Sequence, residues 1–322
     1  MTIGEIYELA IKMGVGADPR GEDGVKKVLK RLNSEYEERS PAKKKNFDLE
    51  SLRNPYADSR ILFGDPTIAV DKVAVGIDIE PAELLLVDRL NQKGEGIDLA
   101  IAHHPEGISL AGLPEVMELQ IDLLAGYGVP VNVVEGLMGD KITEIKRRVS
   151  PGNHARAVDA ARLLGIPFMN IHTPADNLVF HYLEERIAQT RPEYVKDVLE
   201  MLEEIPEYNE AAKFKLGPTL FTGAEKNRAG KVVAASLTGG TEGSKNIYER
   251  LVAAGVGTVI GMHASEEHVK KAKEHHLNLV IAGHMSSDSV GMNLLLDELE
   301  KQGIQIIPFS GFIRISRIKS EK

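Results

Sequence analysis

The chain lacks several residue types and patterns, and each absence narrows what the protein can be. It contains no cysteine, which excludes disulfides, iron–sulfur clusters, thiolate metal sites and cysteine nucleophiles and leaves imidazole and carboxylate groups as metal ligands. It has 39 basic against 48 acidic residues and a formal charge of -9, so we expect neither nucleic acid nor a membrane surface as its main partner. No apolar run approaches the ~20 residues of a membrane span, and Met1–Ala10 lacks the basic start of a signal peptide, so we expect a cytoplasmic protein.

The pattern of apolar residues changes near residue 70. Residues 1–65 are polar and mostly helical and predict a helical lead-in. From Val70, short apolar, β-branched runs alternate with longer helical patterns, which is typical of βα units. The predicted strands are Lys72–Ile79, Asp98–Ala102, Pro130–Val134, Pro167–His172, Lys231–Leu237, Thr258–Met262, Asn278–Ala282, Ile304–Pro308 and, as a closing edge strand, Phe312–Ile318.

These patterns predict an α/β fold class with mixed, largely parallel sheets built from βα units and with helices on both faces. Residues 66–179 and 216–322 form the predicted α/β metal-binding core. Residues 180–215 are charged and helical and predict an inserted arm or lid, although an ordinary surface helical hairpin fits equally well. Because ligands of such sheets bind at the carboxyl ends of the strands, we expect the metal site there.

Three groups of histidine and aspartate lie at predicted strand ends. His103-His104-Pro105 follows one strand, His172 and Asp176 follow another, and His284 and Asp288 open the helix after a third. Each group also has an ordinary explanation, because an aspartate can cap a helix or favour its dipole and histidines are often solvated. Residues four apart in a helix share a face, so His284 and Asp288 can reach one ion together. Three such groups at one sheet edge favour a single shared metal site.

Two further features are candidates for function. The turn Gly239–Ser244 follows a strand and opens a helix, so its amides can hold a phosphate or carboxylate, although it lacks P-loop spacing and a tight turn is the plainer explanation. His154 and His263 are second-rank ligand candidates, since one begins a helix and the other ends a strand. Gly152-Asn153-His154 and Gly283-His284 also echo the calcineurin-like metallophosphoesterases, but the early Asp-x-His and late Gly-His-x-His of that family are absent.

Taken in order, the motifs resemble one known family. Asp78 ends an apolar strand, His103-His104-Pro105 ends the next, His172-Thr173-x-x-Asp176 follows, and Gly283-His284-x-x-x-Asp288 comes last. This order is similar to that of the YbgI-like family, also called the GTP cyclohydrolase I type 2-like family or the NGG-one-interacting-factor-three-like dinuclear metal-centre proteins. The resemblance covers about residues 70–315.

The resemblance implies two divalent metal ions and assembly as a ring-shaped homohexamer. In the family the last ligand is usually glutamate, where this chain has an aspartate. The implied metal ligands, with Asp176 as the bridge, are His103, His104, Asp176, His284 and Asp288.

Two main hypotheses for function follow. In the first, the chain is a metal-dependent hydrolase of a nucleotide, a phosphoester or a cyclic amide or purine ring, with a metal-activated water as nucleophile and His172 as general acid or base. In the second, the protein is not catalytic and stores, delivers or senses metal, or uses it to stabilise a ring. An interaction protein with an inert centre is a third reading. Imidazole and carboxylate ligands suit Zn, Mn, Fe or Ni. The expected substrate is a small molecule, and an anionic one suits the turn at Gly239–Ser244.

Overall fold

The structure is a computed structural model that describes residues 1–318, and it contains two β-sheets packed among helices. Within this range no helix combines the length and the apolar character needed to cross a lipid bilayer. The strands are β1 (Arg60–Phe63), β2 (Lys72–Gly76), β3 (Leu99–Ala102), β4 (Phe168–Asn170), β5 (Thr219–Thr222), β6 (Lys231–Ser236), β7 (Val256–Gly261), β8 (Asn278–Ile281) and β9 (Gln305–Pro308). The helices are α1 (Ile3–Gly16), α2 (Gly21–Glu37), α3 (Pro41–Lys44), α4 (Pro81–Gln92), α5 (Gly107–Val116), α6 (Leu119–Gly126), α7 (Val131–Val149), α8 (Arg156–Leu164), α9 (Thr173–Thr190), α10 (Val195–Glu203), α11 (Pro206–Ala212), α12 (Ile247–Ala253), α13 (Glu266–Glu274) and α14 (His284–Lys301).

The four strands of the second sheet follow the same order as the first four strands of the first sheet. The first sheet has the order β1-β4-β3-β2-β9, and the second has the order β5-β8-β7-β6. In each sheet the edge strand named first is antiparallel to its neighbour, and every other pair is parallel. The last strand, β9, returns from the second half of the chain to the first sheet. The predicted α/β fold class with mixed, largely parallel sheets is therefore confirmed.

The central strands are covered on both faces because successive side chains point in opposite directions. Val73, Leu99 and Ile101 pack in one core with α1 and α14. Ala74 and Ala100 point the other way and pack with α4 and α8. This two-sided burial explains why these strands are apolar throughout, without the alternation of a half-exposed sheet.

Helices α9 and α14 lie side by side and join the two halves of the chain. Val179 and Leu183 of α9 pack in the same core as Val290 of α14 and Val280 of the second sheet. The other face of α14 places Leu295, with its neighbours, in the core beneath the first sheet. Both helices begin at the carboxyl end of a parallel strand, so their first turns lie at the edges where the two sheets meet.

Residues 180–215 are helical, as the sequence predicts. They form the second half of α9 followed by α10 and α11. Val198 and Leu202 of α10 and Tyr208 of α11 are fully buried and pack in one core with Ile260 of the second sheet. The role of this stretch as an arm or lid, and the division of the chain into a lead-in, a core and an arm, stay predictions.

The strand predicted at Pro130–Val134 is wrong, because these residues begin α7. Pro130 lies at the N-cap of that helix, and Val134, Met138 and Ile145 are its buried residues. Their spacing follows the helical period, so the valines face a core from a helix. Taken alone, the β-branched residues of this run favour a strand, but the buried residues that follow them have helical spacing.

The closing edge strand predicted at Phe312–Ile318 is also wrong, because these residues pair with no strand. Side chains of α14 satisfy their backbone groups. Asn293 Nδ2 donates to Ile313 O over 2.8 Å, and Asn293 Oδ1 accepts from Ile315 N over 3.2 Å. Side-chain amides thus replace the ladder that a sheet would have supplied.

Candidate metal centre

The carboxyl ends of strands from both sheets meet at one polar cluster. Strands β3 and β4 of the first sheet and β8 of the second sheet end there. The cluster consists of His103 and His104 after β3, His172 and Asp176 at the start of α9, and His284 and Asp288 at the start of α14. The structure therefore brings together all five residues predicted as metal ligands and the predicted acid or base.

These side chains form three overlapping groups that could hold a metal ion. Within each group the possible ligand atoms lie within 4.8 Å of one another. The groups are His103 with His104 and His172, His104 with His284 and Asp288, and His103 with Asp176 and Asp288.

Helices α9 and α14 present their side chains in the same way. In each, a histidine at the strand-to-helix junction is followed four residues later by an aspartate, so both side chains lie on one helical face. His172 and Asp176 form this pair in α9, and His284 and Asp288 form it in α14. The junction before α14 requires Gly283, whose φ is 113° and whose added Cβ would lie 2.5 Å from Ser286 Oγ.

The histidine Nε2 atoms point inward, toward the carboxylates. His103 Nε2 lies 3.4 Å from Asp176 Oδ1 and 3.5 Å from Asp288 Oδ1. His104 Nε2 and His284 Nε2 lie 3.5 and 3.7 Å from Asp288 Oδ2. These distances exceed the about 2.7–2.9 Å of a charge-assisted hydrogen bond. They are close to the ~3.4 Å between two ligand atoms of a tetrahedral ion with ~2.1 Å bonds.

Three of the histidines use their other nitrogen, Nδ1, for hydrogen bonds that point away from the centre. His103 Nδ1 donates to Ile171 O over 3.0 Å. His104 Nδ1 donates to Asp78 Oδ1 over 2.7 Å, and His172 Nδ1 donates to Asp58 Oδ2 over the same distance. A carboxylate or carbonyl behind each imidazole fixes Nδ1 as the donor and leaves Nε2 as the free ligand atom, as in metal sites.

The atoms that face the centre lack hydrogen-bond partners among residues 1–318. They are His103 Nε2, Asp176 Oδ1 and both carboxylate oxygens of Asp288, all of them buried. Buried polar atoms without partners are rare because leaving them unpaired is costly. Asp288 Oδ1 lies near His103, and Asp288 Oδ2 lies near His104 and His284. Metal ions held in this cluster would satisfy these unpaired atoms.

The electrostatics of the cluster also call for positive charge. Burial lowers the pKa of His103, but the carboxylates of Asp288 and Asp176 outweigh it and raise this pKa to about 10. Burial likewise lowers the pKa of His104, but the neighbouring carboxylates of Asp288 and Asp78 outweigh it and raise this pKa to about 9. Burial would raise the pKa of Asp288, yet the neighbouring imidazoles hold it far below its ordinary value. Without a cation, protons on the imidazoles balance the buried carboxylates, and metal binding displaces such protons.

Asp58 belongs to the site although nothing in the sequence pattern points to it. It is fully buried, binds His172 Nδ1 and accepts a hydrogen bond from Thr173 Oγ1 over 2.6 Å. It precedes β1, whose Arg60 pairs with Asn170 in antiparallel β4. Because an antiparallel strand begins where its parallel neighbours end, residues before β1 lie at the functional edge. The signal to look for was a polar residue before an antiparallel edge strand.

Neither second-rank ligand candidate, His263 or His154, joins the possible ligand groups that the described residues form. The ring of His263, after β7, lies 4.8 Å from that of His284 between centroids, so His263 borders the cluster without joining its ligand groups. His154 precedes α8 and takes part in none of the possible ligand groups of residues 1–318. The turn Gly239–Ser244 lines the same cavity as His172, Asp176, His284 and Asp288.

Several solved structures are similar to this chain. A NIF3 superfamily protein from Sphaerobacter thermophilus has 26% sequence identity and a TM-score of 0.73, and the match covers 97% of this chain and 99% of that protein. Reduced HcgD from Methanocaldococcus jannaschii has 15% identity and a TM-score of 0.48, covering 79% of this chain and 93% of that one. A protein YbgI of unknown function has 16% identity and a TM-score of 0.46, covering 90% and 97%. No protein-family model and no curated protein matches the chain.

The first of these matches extends over nearly the whole length of both chains. It includes residues 1–65 and the stretch 180–215 as well as the sheets, since it covers 97% of this chain. The resemblance to the YbgI-like, NIF3-like family predicted from the motifs is confirmed by this match. The two matches with a TM-score below 0.5 carry no part of the argument below.

Proposed function

We propose that this chain, which has the fold of the NIF3 superfamily, binds two divalent metal ions and is a metal-dependent hydrolase. The observation that carries the proposal is that four buried ligand atoms from three side chains lack hydrogen-bond partners within one cluster of possible metal ligands. The number of donors supports two ions. Five side chains besides His172 offer ligand atoms, whereas a tetrahedral ion takes four.

The donor groups indicate how the ions are shared. Asp288 takes part in two of the three groups, and its two oxygens face different histidines, His103 and His104. We therefore propose Asp288 as a bridging ligand beside Asp176, the bridge that the family resemblance implies. His284 completes the second group from the solvent side, since its side chain is 39% exposed.

Bound divalent ions would lower the pKa of a coordinated water and stabilise negative charge on a reacting oxygen. The chain's own residues supply the rest. His172 is the proposed general base, because Asp58 accepts a hydrogen bond from its Nδ1 and Nε2 is left facing the cluster, 3.8 Å from Asp176 Oδ2. The burial of His103, His172 and Asp288 keeps bulk water from competing for the donors.

Metal binding is tested by titrating chelator-treated protein with ZnCl₂ or MnCl₂ in a calorimeter, together with elemental analysis of the purified protein. We expect about two equivalents for the unaltered chain, and loss of at least one for Asp288→Asn. Asp23→Asn is the matched control, because its carboxylate is 91% exposed on α2. Absence of any divalent binding, or equal binding by Asp288→Asn, would refute the proposed centre.

Hydrolysis is tested with the metal-loaded protein on nucleotides, phosphodiesters and cyclic amides. We expect turnover that His172→Ala lowers by about 10²-fold or more while its metal content stays unchanged. If His172→Ala also loses metal, His172 is a ligand and the assignment of the base is wrong. Metal binding with no turnover on any substrate would favour the non-catalytic alternative of metal storage or delivery.

We also propose that the protein acts in the cytoplasm as a homohexamer. The support is the family resemblance, whose members commonly form rings. Sedimentation velocity of the purified chain is the direct measurement, and a monomer of 35.2 kDa at micromolar concentration would overturn the assembly.

A further inference from the structure

We propose that the loop of residues 238–245, here called the glycine loop, binds an oxyanion of the substrate beside the metal centre. The ligand class is a phosphoryl group, for which inorganic phosphate serves as the probe. This inference rests on the proposed function for the neighbouring metal ions, but the loop supplies its own observations.

The first observation is a shared cavity. A space of about 50 Å³ lies between the glycine loop and the metal cluster. Gly240, Thr241 and Ser244 line it from one side, and Asp176 and Asp288 line it from the other. A space of this size admits a small group such as a few water molecules or a phosphoryl group. A group bound there lies within reach of both walls.

The second observation concerns the backbone amides of the loop. The N–H groups of Gly239, Gly240, Gly243 and Ser244 have no hydrogen-bond acceptor among residues 1–318. Backbone donors at partly or fully buried positions are nearly always paired. Successive amides in a loop with left-handed residues form concavities that bind anions. Unpaired amides next to a cavity therefore indicate a ligand with several acceptor oxygens.

The third observation is that side chains hold the loop carbonyls on the other side. Gln120 Nε2 donates to Gly239 O and to Thr241 O, each over 2.7 Å. His268 Nε2 lies 3.1 Å from Gly243 O. These contacts occupy three carbonyl oxygens that would otherwise repel an anion. These hydrogen bonds fix the loop with these carbonyl oxygens paired, while its unpaired backbone N–H groups remain free to donate to a ligand.

The acidic residue of the loop does not block the site. Glu242 Oε1 accepts from Ser265 N over 2.8 Å and lies 3.0 Å from His268 Nδ1. Burial would raise the pKa of Glu242, but these contacts lower it to about 2, so the carboxylate is ionised and held by its donors. Its charge is directed to the start of α13.

Two glycines are required by the close packing of the loop. Gly239 and Gly240 have φ values of 85° and 88°, in the left-handed region that other residues adopt at a cost. A Cβ added to Gly239 would lie 2.6 Å from Gln120 Cγ, and one added to Gly240 would lie 2.8 Å from Val116 Cγ2. Only glycine lets the backbone approach α5 and α6 this closely.

A larger cleft continues outward from the loop and receives the rest of the substrate. It has a volume of about 610 Å³, and it shares Glu242, Ser244 and His268 with the inner cavity. Arg147 and Arg148 of α7 line it and form no ion pair with residues 1–318. Two available guanidinium groups beside an oxyanion site favour a substrate with a second negative group.

The test follows the loop amides directly. Hydrogen–deuterium exchange of the metal-loaded protein, with and without inorganic phosphate, is measured on peptides that cover residues 237–247, and phosphate affinity is measured by calorimetry. We expect phosphate to slow exchange in this segment. Ser244→Asp, which places a carboxylate in the cavity, should weaken phosphate binding about tenfold or more with metal content unchanged. The same charge change at exposed Ser34 is its control and should have no effect.

A second variant tests the loop without adding a charge. Gly240→Ala strains a left-handed position in the loop, whereas Gly94→Ala strains one with a φ of 93° and open space around it, far from the site. We expect only Gly240→Ala to weaken phosphate binding. The inference would be overturned if neither Ser244→Asp nor Gly240→Ala changes the phosphate affinity. It would also be overturned if phosphate leaves the hydrogen exchange of residues 237–247 unchanged. Either result would assign phosphate binding to the metal alone. If no metal binds, the proposed function fails, and phosphate protection in the metal-free protein still tests the loop.

Discussion

The close approach of the two metal-bearing helices leads to a quantitative prediction for Gly291→Ala. Gly291 of α14 faces the backbone of Ala175 in the first turn of α9. A Cβ added at Gly291 would lie 2.8 Å from the Ala175 carbonyl carbon and closer still to its oxygen. Backbone atoms cannot rotate away, so α9 and α14 must separate by about 1 Å before ordinary contact is restored.

The magnitude follows from what this separation loosens. Overpacking a tightly packed core costs about 1–3 kcal/mol, and we expect the upper end because the clash is with backbone. Asp176 adjoins Ala175 in α9, and Asp288 lies one turn before Gly291 in α14. A shift of this size therefore moves both carboxylates relative to each other, and we expect about a tenfold or greater loss of metal affinity.

The assay compares Gly291→Ala with a matched helix variant. Gly136→Ala makes the same change in α7, where an added Cβ meets nothing within 4 Å. Alanine favours a helix over glycine, so this control should raise the free energy of unfolding by about 0.5–1 kcal/mol and leave zinc affinity unchanged. Urea unfolding in chelator gives the stability, and calorimetry gives the affinity. If Gly291→Ala behaves like Gly136→Ala in both, the helix contact does not position the ligands.

Three further outcomes are expected. Asp58→Asn should lower hydrolytic turnover by about tenfold or more and leave zinc affinity unchanged, because it removes the carboxylate behind the proposed base His172; turnover equal to that of the unaltered chain would contradict this role. Zinc at a concentration about a thousandfold above its dissociation constant should raise the free energy of unfolding of the unaltered chain by about 4 kcal/mol, and that of Asp288→Asn by less. Urea unfolding measures both gains, and equal gains would contradict the proposed site. The pKa of Glu242 falls from 4.5 to about 2 on folding, so the carboxylate stabilises the fold above pH 4.5 and less as the pH falls toward 2. Unaltered protein should therefore exceed Glu242→Gln in stability at pH 7 by more than at pH 3, and a difference independent of pH would refute the ion pair with His268.

The site was predictable from sequence because its residues follow buried parallel strands. The apolar runs before His103, His172 and His284 predict strands, and the carboxyl ends of parallel strands lie at one edge of a sheet. The meeting of two separate sheets at a single centre was not predictable in the same way. It depends on how α9 and α14 pack across each other, which long-range contacts decide.

The errors have physical causes as well. β1 and β5 are short edge strands with partly exposed residues, so they lack the continuous apolar runs of the central strands. The sequence pattern also does not point to Asp58, because a residue before an antiparallel strand reaches the site from the opposite chain direction. At Pro130–Val134 the β-branched residues imitate a strand, and only the helical spacing of later buried residues shows otherwise.

The matching strand orders of the two sheets are the arrangement that results when one βα module is duplicated and fused to its copy. Under that correspondence His103 and His104 after β3 match Met262 and His263 after β7, so the first copy holds donors where the second has a thioether and an exposed imidazole. The second copy also contributes the loop of residues 238–245. Both modules therefore contribute side chains to the candidate metal centre, since Asp176 follows β4 of the first and Asp288 follows β8 of the second. The loop proposed to hold the substrate, in contrast, comes from the second module alone.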